Sequence, residues 1–533
     1  MLIPIHQFVA PSRGSMISGR YPFRNGHYAF ELSHQNPDFI KPSFPQTLQR
    51  NGYVTAAFGK SDSYIYKWGP GQGFYDAGHY NYKMHFKHNL QNNGIGDLWI
   101  EWLYNENGAI KESVQYPDGE LVKYYIKKND GEISKEDIAK KKQVDKDFDI
   151  LRLTEGSGII GGVNPLPAGK TIDALIVKEF KSYLSNENTK FITSWGEERV
   201  GANPQKPLML NLGFHLPHTP VLPPKKYRNK FKKINYRIPT FTKEEYSKLP
   251  EQLKQISNWG SLSEMTNEEK LQVIQDYYAF CAYGDALIGE SVQAFKDYCA
   301  RNNQEYLILF TVGDHNYHLG KQGKTEKAGP WRHSTQGALI VVASDKAQVP
   351  AGLIQNQLTE YVDIAPTILK TAGIDIENEQ YNYLDGYNLY DFIGNTTEKR
   401  DYILGEINVI SGPRAYMRTK DFAFSMRTRP LNDANLNDNI KWAIICDVED
   451  AELAMYDLRV DSNDLNNIAY TNKYAGLAQW FRHKLGTIVL GDGRVECDWS
   501  KPNTYSLSNF AHGSDDKKLN IPEDLIPQIV ENE

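Results

Sequence analysis

Two histidines lie three residues apart in a loop that prolines stiffen. The segment Phe214-His-Leu-Pro-His-Thr-Pro220 directly follows an apolar run at 206–213. A lone histidine is most often structural, but His215 and His218 are held by two residues whose φ angle is fixed. An imidazole presented in this way can bind an anion, transfer a proton or ligate a metal. We therefore interpret the pair as functional.

A second polar cluster follows another apolar run, 306–312. It reads Gly313-Asp314-His315-Asn316. Carboxylate oxygens and imidazole nitrogens are ligands of divalent cations, so Asp314 and His315 are predicted to bind a metal. The alternative is that Asp314 only forms a turn and caps a helix. A little further on, a lysine of Lys324-Thr-Glu-Lys327 could balance the charge of a bound oxyanion, or the segment could be a plain surface loop.

A third cluster, Ala10-Pro-Ser-Arg-Gly-Ser-Met-Ile-Ser-Gly-Arg20, predicts a short helix. Pro11 suits the first helical position and Gly19 suits the end. The guanidinium of Arg13 can form two hydrogen bonds to one oxyanion near the positive end of such a helix. Many helices begin in this way, so the motif gains weight only together with the others.

These clusters must be positioned by buried strands. Four short apolar runs bounded by Gly or Pro, at 52–59, 206–213, 306–312 and 337–343, predict strands of a parallel sheet that is covered on both faces. Residues 269–300 have helical periodicity, which gives the order strand, helix, strand. Open α/β sheets bind ligands beyond the carboxyl ends of their strands, so we expect the clusters to meet there.

One carboxylate falls on the predicted apolar stripe of this long helix. It is Asp285. We interpret it as a buried group that backbone donors satisfy, and not as a catalytic residue.

The length and composition predict two folded parts. The chain has 533 residues with 40 % apolar and 12 % aromatic side chains, enough for a large core. We predict an α/β domain over 1–375, with a charged surface insertion near 127–147, and a smaller α+β subdomain over 376–533. A second basic run, Lys225–Lys233, could face an acidic substrate, but we favour a solvated loop.

The charge balance excludes some partners. Sixty basic and 66 acidic side chains give a net charge of -6, which argues against nucleic acid or an anionic membrane as the main partner. No apolar run reaches the roughly 18 residues of a membrane span, and the first residues lack a signal-peptide pattern. The four cysteines form no CxxC pair, so neither a disulfide framework nor a thiolate zinc site is predicted, and the compartment is left open.

In this order the clusters resemble the sulfatase family of the alkaline-phosphatase superfamily, most closely its iduronate-2-sulfatase-like branch. The family pattern Cys-x-Pro-Ser-Arg, or its Ser-headed form, is matched by Val9-Ala-Pro-Ser-Arg13. The other matching segments are Gly52-Tyr-Val-Thr55 with Gly59-Lys60, Gly213-Phe-His-Leu-Pro-His-Thr-Pro220, Asp314-His315-Asn316 with Leu319-Gly320 and Lys327, Tyr361-Val-Asp-Ile-Ala-Pro-Thr-Ile-Leu369, Leu384-Asp-Gly386, and Tyr456-Asp-Leu458 with Asn466-Asn-Ile-Ala469.

The resemblance implies a fold and a chemistry. The fold would be an alkaline-phosphatase-like sandwich, with a central, largely parallel sheet flanked by helices. In the family, the Cys or Ser becomes formylglycine, whose hydrate attacks the sulfur of a sulfate ester beside a calcium ion. Carried over, the catalytic set around the sulfate is Arg13, Lys60, His218 and Lys327; His215 contacts the substrate; Asp314 and His315 ligate the metal. The substrate would be a sulfated carbohydrate or another sulfate ester.

The sequence departs from this pattern where the chemistry begins. Val9 holds the nucleophile position, and its alkyl side chain cannot become an aldehyde; losing a nucleophile costs on the order of a millionfold in turnover. The family also has an upstream central strand that ends in paired aspartates, whereas MLIPIHQF contains no carboxylate. Calcium takes about six to eight oxygen ligands, so we expect calcium binding to be weak or absent. Without that strand, its neighbours would lack backbone partners.

Smaller departures are Leu216 in place of a lysine, and Ser63 and Gln322 in place of histidines. Three hypotheses follow. The first is a sulfatase whose hydrolysis is impaired, or an incomplete copy of a sulfatase gene. The second is a pseudoenzyme that binds sulfated glycans without cutting them, and the third is a phosphate or phosphonate ester hydrolase. The last needs a nucleophile and a metal just as much.

Overall fold

The computed structural model describes residues 2–3, 9–28, 31–32, 34, 36–61, 63, 65–66, 75–76, 78–103, 106, 108–129, 131–154, 157–395, 400–408, 410–430, 440–491, 493–497, 505–508 and 517–529.

Within these residues the fold is mixed α/β. The helices are α1 Val9–Ser18, α2 Pro22–Asn25, α3 Phe44–Arg50, α4 Lys135–Asp147, α5 Ile172–Ser185, α6 Lys225–Phe231, α7 Lys243–Ser247, α8 Glu251–Asn258, α9 Asn267–Arg301, α10 Arg332–Thr335, α11 Ile364–Thr371, α12 Trp442–Ile445 and α13 Ala475–Val489. The strands are β1 Leu2–Ile3, β2 Glu31–Leu32, β3 Val54–Gly59, β4 Ile65–Tyr66, β5 Tyr75–Asp76, β6 Tyr82–Met84, β7 Leu98–Leu103, β8 Ala109–Gln115, β9 Leu121–Lys127, β10 Leu151–Thr154, β11 Ser157–Gly161, β12 Lys190–Ile192, β13 Glu198–Val200, β14 Leu208–Gly213, β15 Leu307–Thr311, β16 Leu339–Ala343, β17 Thr359–Glu360, β18 Tyr402–Ile407, β19 Arg414–Thr419, β20 Phe422–Arg427, β21 Ala454–Asp457, β22 Arg494–Cys497 and β23 Tyr505–Ser508.

The parallel sheet that positions the site contains the first two predicted strands. β3 lies between β14 and β6 and pairs in parallel with both. Gly213 lies opposite Gly59 in the register, so both strands end at one edge. Gly59 has φ +84°, and a Cβ there would lie 2.1 Å from the carbonyl oxygen of Gly213. Only glycine fits this close approach, which lets Lys60 and Phe214 leave the sheet side by side.

The prediction of a parallel arrangement is wrong for the other two strands. β15 and β16 pair antiparallel with each other. The chain between them contains only short helical pieces such as α10, and no long crossover helix that would return it to the starting edge. Burial on both faces is also wrong for β16, since Ile340 is 50 % exposed.

Two strands that lead into the site each have one edge without a strand partner in the described part of the chain. β14 pairs with β3 on one side only, and β15 pairs only with β16. Ahead of α1, the strand β1 pairs in parallel with β17. Residues 4–8, on which the predicted loss of a metal-binding strand partly rests, lie outside the described residues.

The long helix α9 confirms the predicted helical segment but not its buried face. A capping box between Thr266 and Glu269 starts it. Asp285 is exposed, so its interpretation as a buried carboxylate is wrong. The buried carboxylate is Asp276, which accepts from Arg228 Nε at 2.6 Å and from the Gly162 N–H at 2.9 Å. Apolar residues lie on more than one face of α9. The periodicity therefore predicted a buried face that is displaced by about one residue from the observed one.

The predicted charged insertion is ordered. Its residues form the end of β9 and the helix α4, which Ser134 caps by accepting from the Asp137 N–H. α4 packs beside the antiparallel sheet of β7, β8 and β9.

The C-terminal part confirms the α+β prediction. β18 to β21 form an antiparallel sheet against which α13 packs. Its core also includes Tyr21, Phe23 and Tyr361 from the N-terminal part. The division near residue 375 therefore stays a prediction. No helix in the described ranges has the length and apolar character to cross a membrane.

Candidate active site

The structure brings all seven predicted site residues together at one end of the sheet. Lys60 follows β3, the two histidines of the 215–218 loop follow β14, and Asp314 and His315 follow β15. Arg13 reaches the same place from α1, and Lys327 from the loop before α10. The expectation that strand ends would converge is met in the geometry, while each residue's role remains a proposal.

Arg13 joins three chain segments. Its Nε donates to Asp314 Oδ2 at 2.7 Å, and its Nη1 donates to the carbonyl oxygen of Lys60 at 2.6 Å. The side chains of Arg13 and Asp314 are only 14 % and 18 % exposed. Burial opposes ionisation of Asp314, but the charges of Arg13 and Lys60 outweigh it and hold the pKa of this carboxyl below its ordinary value.

Lys327 lies between two imidazoles. Its Nζ is 3.4 Å from His218 Nε2 and 3.4 Å from His315 Nε2. A carbonyl oxygen can only accept, so His218 Nδ1, 2.7 Å from the oxygen of Thr219, must carry the proton. The Nε2 of His218 is then a lone-pair acceptor that faces the ammonium of Lys327.

Both imidazoles are neutral at neutral pH. Burial, with the charges of Lys327 and Lys60, lowers the pKa of His315 to about 3. Burial, with the charges of Lys60 and Lys327, also lowers the pKa of His218 well below its usual value. Two lysines and one arginine then face one carboxylate, which leaves two net positive charges in a partly buried cluster. This arrangement suits one compact oxyanion.

His215 is held by a residue that sequence reasoning missed. Its backbone N–H donates to Asp173 Oδ1 at 2.7 Å, and the Leu216 N–H faces Asp173 Oδ2 at 3.3 Å. The His215 ring stacks against Phe86 at 4.9 Å and against His218 at 5.3 Å. The available signal was an acidic residue in the otherwise apolar first turn of α5.

Replacing Asp173 with asparagine is expected to loosen this loop. The amide would present an N–H group to one of the two backbone donors, and each lost bond to a buried acceptor costs about 1 to 3 kcal/mol. Urea unfolding should show this loss, and calorimetric titration with sulfate should show weaker binding. Asp285→Asn, on the exposed face of α9, is the control. Native-like stability and sulfate affinity of Asp173→Asn would contradict the assignment.

The side chain of Lys324 stabilises the backbone at Lys327. It is fully buried, and its Nζ donates to the carbonyl oxygens of Lys327 at 2.5 Å and Ala328 at 3.3 Å. It also lies over the Trp259 ring, 5.0 Å from the centroid. Burial lowers the pKa of Lys324 to about 7. The sequence gave no reason to prefer this lysine over its neighbour.

The three smaller departures from the family pattern have local packing roles. Gln322 Oε1 lies 2.9 Å from Nδ1 of the buried His318, and Ser63 Oγ donates to the carbonyl oxygen of Ser61. Leu216 packs against α9 at Gly284, where a Cβ would lie 2.3 Å from its side chain. The side chain of Val9 lies outside the described residues.

The described side chains do not fit a calcium ion. Asp314 Oδ2 is bonded to Arg13, and His315 Nε2 faces the ammonium of Lys327. A cation would be repelled by Arg13, Lys60 and Lys327, and among the described residues no group of three or more His, Cys, Asp or Glu side chains could hold one. The sulfatase family generally uses calcium, so this donor set departs from its family.

Comparison with known proteins assigns the family. The sulfatase family model matches residues 9–374, more than half of the chain, and the chain therefore belongs to the sulfatase family. A sulfatase of Formosa agariphila is 24 % identical over 240 residues, which is 41 % of this chain and 46 % of the relative. The chain spans about half the length of the curated relatives it matches.

Solved structures confirm the fold. A phosphonate monoester hydrolase of Agrobacterium radiobacter has a TM-score of 0.62 at 18 % identity, covering 91 % of this chain and 87 % of its own. A protein solved in complex with its substrate, D-glucosamine-2-N,6-O-disulfate, has a TM-score of 0.54 at 16 % identity, covering 92 % and 88 %. At these identities the similarity establishes the alkaline-phosphatase-like α/β fold and nothing finer.

Proposed function

We propose that this chain binds the sulfate group of a sulfate ester in the cluster of Arg13, Lys60, His218 and Lys327, and that the hydrolysis typical of its family is impaired. One observation carries the binding proposal: the Lys327 ammonium lies between two neutral imidazoles, beside two further cations. Such donors, fixed before the ligand arrives and partly shielded from water, bind an oxyanion more strongly than the same groups in solvent.

The residues have distinct parts in this proposal. Lys327 donates to a sulfate oxygen, and its position is set by the acceptor Nε2 of His218 and by Lys324 behind it. Arg13 and Lys60 add positive charge, with Arg13 fixed by Asp314. His215 lies beside His218, on the route to the leaving group, and contacts the alcohol part of the ester. Asp314 and His315, predicted as metal ligands, act instead as the acceptors that order Arg13 and Lys327.

Sulfated carbohydrates are the proposed ligand class. The structural neighbour bound to a disulfated glucosamine supports it, as does the assignment to the sulfatase family. The iduronate-2-sulfatase-like subtype remains a prediction from the motifs. A phosphate or phosphonate ester could occupy the same cluster, but its hydrolysis would need the nucleophile that Val9 does not supply.

Titration with inorganic sulfate tests the binding site. Lys327→Ala removes one charge-assisted hydrogen bond, worth about 1.5 to 3 kcal/mol, so the Kd should rise roughly 10- to 100-fold. Lys370→Ala, an exposed lysine on α11, is the matched control and should bind like the native protein. Equal affinities of native protein and Lys327→Ala would remove the cluster from consideration.

Hydrolysis is tested separately. Native protein and Arg13→Ala are incubated with 4-methylumbelliferyl sulfate and calcium, and fluorescence is followed. We expect equal, background rates because Val9 lacks a nucleophilic atom. Release by the native protein above that of Arg13→Ala would show that catalysis survives, and phenyl phosphonate in parallel would reveal the alternative ester class.

A further inference from the structure

The second basic run of the sequence is a helix and not the solvated loop that the sequence favoured. α6 spans Lys225–Phe231 and packs on α9 through the buried Arg228. We give the name α6 surface to the outward cations of α6 together with the two cations that follow it. This surface consists of the exposed residues Lys225, Lys226, Lys230, Lys233 and Arg237.

The α6 surface differs from the other lysine-rich helix in how its charges are paired. On α4, Lys140 pairs with Glu136 at 2.6 Å and Lys141 pairs with Asp145 at 3.0 Å, each one helical turn away. α6 itself contains no acidic residue. Among the described residues no carboxylate pairs with any member of the α6 surface, since the nearby Asp149 pairs with Arg228 and Lys232. Exposed cations without carboxylate partners keep an attractive field for anions.

Consecutive residues of α9 contact both the α6 helix and the neighbourhood of the cation cluster. Asp276 anchors Arg228 of α6 at 2.6 Å. The Tyr277 ring stacks on Tyr317 at 4.9 Å, and Tyr317 lies 6.1 Å from the ring of His315. Along the chain, Pro220 to Pro224 lead from the His218 loop directly into α6. The two positive regions are therefore neighbours at one rim.

An exposed aromatic pair accompanies the α6 surface, with Tyr236 lying between Lys233 and Arg237 in the sequence. Tyr278 stacks on Tyr236 with ring centroids 5.1 Å apart and an interplanar angle of 4°. Tyr278 is 44 % exposed, so part of this pair faces solvent. A tyrosine ring offers an apolar face for the C–H side of a sugar and a hydroxyl for its polar edge.

We propose that the α6 surface and the Tyr236–Tyr278 pair bind the following sugars of an extended sulfated glycan whose terminal sulfate occupies the cation cluster. This inference rests on the proposed function and deepens it from a single sulfate ester to an oligosaccharide. Charge complementarity identifies the occupant: the α6 surface gathers five exposed cations on a chain whose net charge is -6. A glycan fits better than nucleic acid because it offers both a terminal sulfate and sugar faces for the tyrosine pair.

The test compares two variants with the same change in charge. In one, Lys225, Lys226, Lys230 and Lys233 are replaced by serine; in the control, Lys135, Lys140, Lys142 and Lys146 of α4 are replaced by serine. Arg228, which anchors α6, is kept, and circular dichroism with thermal melting confirms that both variants fold. Each protein is titrated with a heparin-derived hexasaccharide, with D-glucosamine-2-N,6-O-disulfate, and with inorganic sulfate.

We expect the α6 variant to bind the hexasaccharide about tenfold or more weakly than the native protein, with a shallower dependence on salt because fewer cations take part. Its affinity for the monosaccharide and for sulfate should be unchanged, and the α4 control should bind all three like the native protein. Tyr278→Ala should weaken hexasaccharide binding without changing the salt dependence.

Several results would overturn the proposal. They are an equal loss in the α4 control, a hexasaccharide bound no tighter than the monosaccharide, and single-stranded DNA of equal charge bound as tightly through α6. Failure of the proposed function looks different: Lys327→Ala would leave monosaccharide and sulfate binding unchanged. If the hexasaccharide still depended on α6 in that case, the surface would bind polyanions independently of the cluster, and its link to a terminal sulfate would be wrong.

Discussion

Replacing Arg400 with methionine is expected to lower the free energy of unfolding by about 3 to 5 kcal/mol. Arg400 is 2 % exposed, its Nη1 donates to Glu360 Oε2, and its Nη2 lies 2.6 Å from Asp363 Oδ1. Both carboxylates are fully buried. Methionine fills much of the volume but leaves the two acids without the guanidinium that pairs with both. Urea unfolding followed by circular dichroism at pH 7.5 measures the loss.

An exposed ion pair is the control for this experiment. Lys518 pairs with Asp401 at 3.2 Å, but their side chains are 45 % and 29 % exposed, so Lys518→Ala should cost less than about 1 kcal/mol. Glu360 also accepts from the Tyr21 hydroxyl and the Leu404 N–H. Glu360 thus binds residues from both sides of the predicted boundary at residue 375. We therefore expect the two parts to unfold together in one transition. Two separate transitions would contradict the proposed link across residue 375. An Arg400→Met variant as stable as the native protein would contradict the stabilising role of Arg400.

The sequence was informative where chemistry follows a strand end. The apolar runs located β3 and β14, and the glycines at their ends allowed the close approach that brings Lys60 beside the His218 loop. Strand ends have strong local signals, and a parallel sheet gathers them at one edge. Strand ends indicated His215, His218, Asp314 and His315 before their contacts were known, whereas Lys60 and the site roles of Arg13 and Lys327 came from the resemblance to the sulfatase family.

Contacts that depend on tertiary packing had no comparable signal. Asp173 and Lys324 hold the loops of His215 and Lys327 from behind, yet in sequence each is one polar residue among many. Asp285 was predicted to be buried but is exposed to solvent, because α9 has apolar residues on more than one face. The antiparallel return of β16 also depends on the path of a loop, which periodicity does not encode.

The pH dependence of stability should contain a clear contribution from His79. This side chain is 1 % exposed, and burial lowers its pKa to about 4. Its Nδ1 lies 2.8 Å from Ser43 Oγ, which accepts from the Gln46 N–H and so caps α3. His79 and Ser43 share this hydrogen bond whichever tautomer the neutral imidazole adopts. Protonating His79 would place a charge in the core.

The sign follows from the lowered pKa. Between pH 6.5 and about 4 the unfolded chain binds a proton at His79 that the folded protein does not, so the stability contribution is present above that window and is lost as the pH falls. Relative to His79→Gln, which does not titrate, the native protein should lose roughly 1.4 kcal/mol per pH unit, or about 3 kcal/mol across the window. Taking the difference between native and variant cancels the buried carboxyls, whose raised pKa values act in the opposite direction.

Urea unfolding of both proteins at pH 8, 6, 5 and 4.5 measures this difference. His483→Gln, at an exposed position on α13, is the control for the His-to-Gln exchange itself. A constant difference between native protein and His79→Gln across the series would mean that His79 titrates in the folded protein as it does in the unfolded chain, and the buried arrangement with Ser43 at the start of α3 would then be wrong.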